Sequence, residues 1–187
     1  MDPVAFVARI RDHYVDQFSS FAMQHRANCT HGASEVKFQL DEQSELFDRL
    51  YCADFINNDA AVEMVEFEPE NLLTFEPIAG TFGNASLAIN YLRWDDVEIF
   101  HDVEELPADE LSNWFERWFD PDDARHVPGA ELSEIIHSML IQPHCISIDF
   151  GTARPDAFWE ILQLLDDAGT AHIEVSSSQA DAEPVEA

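Results

Sequence analysis

The chain has 187 residues, 46% of them apolar, with 14 Phe and 4 Trp, enough for one sizeable core, so a single domain over residues 1–177 is expected. Its 38 acidic residues against 9 basic ones give a formal net charge of -29, which opposes direct binding to nucleic acid phosphates or to anionic lipid. No uncharged apolar run approaches about 18 residues, Arg9, Arg11 and Asp12 interrupt the opening stretch, and three Cys without regular spacing make no disulfide framework. Neither a membrane span nor a secretory leader is expected, and a reducing cytoplasm fits.

Asp2 as N-cap and Pro3 in the first turn open a helix over 3–27, in which Val7, Ile10, Tyr14, Phe18, Phe21 and His25 recur at steps of three and four. Residues 28–35 read as a loop. Leu46, Phe47, Leu50, Tyr51 and Phe55 predict a second helix over 44–57, stopped by Asn57 and Asn58. From 61 to 101 the pattern changes to period two: Val65 and Phe67, Leu73 and Phe75, Leu87 to Tyr91, then Val97 and Ile99. Turn signals at 69–71, 80–84 and 95–96 separate these runs, which predicts an antiparallel meander.

Helical spacing returns over 106–119 with Leu111, Trp114, Phe115 and Trp118, and again with Leu132, Ile135, Ile136, Met139 and Leu140, closed by Pro143. The clearest unit follows. Ile146, Ile148 and Phe150 alternate with Cys145, Ser147 and Asp149; Pro155 starts a helix that ends at Gly169; Ala171, Ile173 and Val175 alternate with His172, Glu174 and Ser176. Strand, helix, strand in this order predicts a crossover unit. Polar residues on the second face of both strands exclude helices on both sides of the sheet. The expected fold is therefore α+β: two layers, a mixed and mostly antiparallel sheet with helices on one face, and a C-terminal βαβ unit. Residues 178–187 have no apolar period and are expected to form a disordered acidic tail.

The outward strand positions collect Glu66, Glu68, Glu76, Glu98, Asp149 and Glu174, which predicts an acidic open face and makes these six the candidate partner-binding residues. His25, Cys29 and His31 are zinc-competent, and His144 with Cys145 could add a ligand, but the spacing fits no standard finger or ribbon. No metal and no cofactor is expected. Residues 120–131 resemble the loop of a calcium-binding helix-loop-helix, with Asp120, Asp122 and Glu131 at loop positions 1, 3 and 12. Ala124 in place of a ligand, Arg125 in place of the turn glycine and Pro128 at position 9 depart from that pattern, and helix capping explains the acids without an ion. GTFGNAS, residues 80–86, lacks the lysine of a phosphate cradle and reads as a hairpin turn. Adjacent His144 and Cys145 point to opposite faces of a strand, which excludes a catalytic dyad there.

These features lead to an expected function as a cytoplasmic, non-enzymatic binding or inhibitory module for a basic protein, a DNA mimic being one special case. An enzyme or small-ligand protein with a site built from loops is the alternative, and an acidity that only adapts the surface to high salt is a third.

Overall fold

The computed structural model describes residues 2–40 and 42–178, so that the tail expected at 178–187 falls, beyond Ser178, outside the described residues. Helix α1 spans Pro3–Asn28, with the Asp2 carboxylate accepting a hydrogen bond from the Val4 amide at 3.1 Å. Its buried stripe of Phe6, Val7, Ile10, Tyr14 and Phe18 follows the predicted spacing. Strand β1 (Gly32–Gln39), a single helical turn α2 (Leu46–Arg49), β2 (Leu50–Asn57) and β3 (Glu63–Val65) follow, and the three strands form an antiparallel sheet in the order β1-β2-β3.

Strands β4 (Ile78–Phe82), β5 (Ala85–Ile89), β6 (Val97–His101), β7 (Ser138–Gln142), β8 (Cys145–Asp149) and β9 (His172–Ser176) build a second sheet, in the order β4-β5-β9-β6-β8-β7. Every neighbouring pair is antiparallel except β5 with β9. The fold is α+β. One face of this sheet presents Leu87, Ile89, Val97, Ile99, Ile146, Ile148, Ile173 and Val175 to a common core with α1, α3 (Ala108–Phe119) and α4 (Pro155–Asp167). The other face carries Ser86, Glu98, Phe100, Ser147 and Glu174, exposed or half-buried. The C-terminal unit β8-α4-β9 forms as expected, with β6 inserted between its two parallel strands. Phe158, Ile161, Leu162 and Leu165 of α4 are fully buried.

The turn GTFGNAS is a tight hairpin at Gly83 and Asn84: Phe82 pairs with Ala85, Gly83 has φ +57, and the Asn84 amide donates to Asp166 Oδ1 at 2.7 Å. Elsewhere the structure corrects the expectations. Residues 32–35, expected as the end of a loop, open strand β1 instead. The helix expected over 44–57 reduces to α2, because β2 is the central strand of its sheet and buries Cys52, Ala53, Phe55 and Ile56 on both faces, which erases the two-residue period. Residues 131–137 are not helical either. Glu134 takes φ +56, and the backbone amides of Ile136 and His137 bond to Trp118 and Asp149 carbonyls rather than to their own chain segment. Leu73 and Phe75 alternate inward as predicted, with the Phe75 ring tilted against Phe6 at 4.4 Å between centroids, but without a neighbouring strand. The helix-loop-helix resemblance at 120–131 fails on the same ground, since no second helix follows. Asp120 instead ends α3 in the left-handed region and accepts from the Ala124 and Arg125 amides at 2.9 and 3.0 Å.

Candidate functional site

The two sheets meet at His137. Its carbonyl accepts from Cys52 of β2 at 2.7 Å and its amide donates to the Asp149 carbonyl at the end of β8 at 2.9 Å. The ladder of β1 and β2 pairs Ser34 with Phe55 and Val36 with Ala53, which sets Glu35 opposite Asp54. These acids close on the ring from two sides: Asp54 Oδ1 lies 2.9 Å from His137 Nδ1, and Glu35 Oε1 lies 3.4 Å from Nε2. Asp149 Oδ2 stands 3.9 Å from Nδ1. Glu35 is held in turn by the Thr152 hydroxyl and by the Ser133 amide at 2.7 Å. Gly151 is required beside the ring, since a Cβ there would sit 2.2 Å from His137 Cδ2, and its φ of +49 favours glycine as well.

The side chains of His137 and Glu35 are each 1% exposed, so their charges are compensated by one another rather than by water. Burial alone would depress the His137 pKa, but the surrounding acids, Cys52 and Asp149 and then Asp54 and Glu35 through their hydrogen bonds, raise it well above its ordinary value. Burial pushes the Cys52 thiol up to about 12, so it is neutral at pH 7 and the carboxylates carry that effect. Burial would raise Glu35; its bonds to His137, Thr152 and Ser133 lower it below the usual carboxylate range. For Asp149 burial wins over the attraction of His137, and its pKa is pushed up to about 7. A charged imidazole among three acids results, buried behind Asp54 and Asp149, which line a cavity of about 290 Å³ bordered also by Tyr14, Met64, Glu66 and Asp95. Asp95 is neutralised by Arg93 at 2.6 Å.

Glu66 also borders a wider groove of about 730 Å³ between α1 and residues 65–71, which Asp16, Glu68 and Glu70 line together with Phe21 and Phe67. Asn71 anchors that segment to the helix through His13 Nε2 at 2.7 Å and Gln17 Nε2 at 3.0 Å. The six acids expected on one face are thus distributed. Glu98 and Glu174 lie on the open sheet face, Glu66 and Glu68 line the groove, Asp149 turns into the cavity, and Glu76 belongs to an irregular segment before β4. Glu66 and Asp149 share the cavity.

His25 packs on Phe21 and Phe55 at 4.5 and 5.3 Å, while His31 pairs with Asp59 at 3.3 Å. Among the described residues the only His, Cys, Asp or Glu group with ligand atoms close enough for one ion is Asp54, His137 and Asp149, so His25, Cys29 and His31 are not brought together. The sequence did hold a signal for the site: Asp54 and His137 each interrupt an apolar run, YCADFI and IIHSML, and a polar group there needs a buried partner. Compared with known protein families, characterised proteins and solved structures, the chain matches none.

Proposed function

We propose that this protein binds a basic segment of another protein in the acidic groove between α1 and residues 65–71. The observation that carries this reading is the fate of the cations. Eight of the nine basic side chains are bound within the chain: Arg11 to Thr152 and Ala153 carbonyls, Arg26 to Ser34, Lys37 to Asp120 and Asp123, Arg49 to Glu42, Arg93 to Asp95, Arg117 to Glu160, Arg125 to Trp118 and Arg154 to Asp156. Among the described residues five carboxylates are paired with Arg or Lys, those of Asp12, Asp95, Asp123, Asp156 and Glu160. The acids of the groove are not among them. Asp16, Glu66, Glu68 and Glu70 therefore project an uncompensated field over an aromatic floor, which suits arginine, whose planar cation stacks on rings and pairs with carboxylates.

No helix among the described residues is long and apolar enough to cross a membrane. Adaptation to high salt is the competing reading, favoured by exposed acids far from the groove such as Glu42, Glu104, Glu105 and Glu116. The two separate in a binding titration with a fluorescent oligo-arginine peptide. Changing Glu66, Glu68 and Glu70 together to Gln weakens binding by about tenfold, while the same change at Glu104, Glu105 and Glu116 has a small effect. Equal losses in both triple variants, or no binding at moderate salt, would leave high-salt adaptation as the better account.

A further inference from the structure

We propose that Asp54, His137 and Asp149 form a site for one divalent transition-metal ion of the zinc or manganese class, where Asp54 and Asp149 line the cavity between the two sheets and His137 lies buried behind them. This goes beyond the binding of a basic segment and does not depend on it. One imidazole nitrogen and two carboxylate oxygens lie within 4.8 Å of one another. Bonds of about 2.0 to 2.2 Å to a common cation set ligand atoms about 3 to 3.5 Å apart. The 2.9 Å from Nδ1 to Asp54 and the 3.9 Å from Nδ1 to Asp149 bracket that spacing. An ion enters there when Nδ1, and Asp149 where it is protonated, give up their protons to solvent. A neutral imidazole with two carboxylates cancels a double positive charge, and a mixed nitrogen and oxygen set suits zinc, manganese or ferrous iron better than calcium or copper(I).

Two features outside the ligand triad point the same way. The far ring nitrogen, Nε2, meets Glu35, which Thr152 and the Ser133 amide hold in place. This is the arrangement in which an outer carboxylate fixes the tautomer and orientation of a metal-binding histidine. Glu35 is a positioning residue in this account. The second feature is Tyr14, which is 4% exposed and forms no hydrogen bond through its phenol among the described residues. It lines the same cavity as Asp54 and Asp149. Three protein ligands leave a coordination position open toward the cavity, and a water or anion held there gives the phenol its missing partner.

The test uses the full chain stripped with chelator and titrated with Zn²⁺ in excess Mg²⁺, which occupies weak surface carboxylates. One equivalent binds; Asp54→Asn and Asp149→Asn each weaken it by at least about tenfold, Glu35→Gln weakens it by about 10 to 100-fold, and Glu98→Gln with Glu174→Gln leaves it unchanged. Because a variant could fail to fold, Co²⁺ is added to the unaltered protein. Ligand-field bands of a nitrogen-containing site and shifted ring protons of His137 are expected. The proposal is overturned if no stoichiometric ion competes with Mg²⁺, if binding is undiminished in both Asp variants, or if the Co²⁺ spectrum stays that of the free ion.

Discussion

Removing the charge of His137 leaves Glu35 as a buried carboxylate without a counter-charge. At the 3.4 Å separation of Nε2 and Oε1, an effective dielectric of about 20 gives a gross attraction of about 5 kcal/mol, from which the cost of desolvating both groups is subtracted. His137→Gln is therefore expected to cost about 3 to 5 kcal/mol, the range for breaking a buried pair from one side. Glu35→Gln costs less, about 1 to 3 kcal/mol, because His137 keeps Asp54 at 2.9 Å. The double variant loses less than the sum of the two by about 1 to 3 kcal/mol. Urea unfolding followed by fluorescence of the four Trp residues, with chelator present, measures all four corners of the cycle. A coupling energy below about 0.5 kcal/mol would refute the reasoning, since neighbours that share no interaction add within that margin.

Phe158→Ala, at a fully buried position of α4, costs about 3 to 5 kcal/mol in the same assay. Truncation after His144 removes β9 from between β5 and β6 and is expected to abolish cooperative unfolding; near-native stability of the remainder would show that the C-terminal unit is an appendage. Gly151→Ala forces a Cβ into His137 Cδ2 and a strained φ of +49, with an expected loss of about 2 to 4 kcal/mol by thermal unfolding. Acid titration of stability carries a sign set by Asp149. Its folded pKa of about 7 lies above its ordinary value of 3.8, so the folded state holds the extra proton and stability falls as pH rises from about 4 to 7. His137, also raised, continues the fall above its ordinary 6.5, whereas lowered Glu35 contributes a rise only below about 4.5. In metal-free buffer Asp149→Asn removes the decline between about 4 and 7, and an unchanged decline would contradict the assignment.

The α+β class and the C-terminal unit were legible because α4 and strands β8 and β9 each bury one face, and a single buried face writes its period into the sequence. β2 and residues 131–137 bury both sides or bond to distant backbone, so their apolar runs lack the two-residue period of a strand and imitate helical spacing. The acidic face was legible only in part. Glu98 and Glu174 occupy it, but Glu66 and Glu68 follow β3 in a different sheet, and strand alternation cannot report which sheet a strand joins. The site at His137 was hidden for a related reason. Glu35 and Asp149 are 114 positions apart and meet only because residues 131–138 tie the two sheets together.

The most direct measurement places a spin label on the oligo-arginine peptide and records which backbone amides of the isotope-labelled protein broaden. Binding in the groove broadens residues 13–24 of α1 and 65–71 opposite them, and spares Phe100 and Leu140 on the open sheet face. Broadening centred on Phe100 and Leu140, or spread evenly over every acidic surface, would contradict the account.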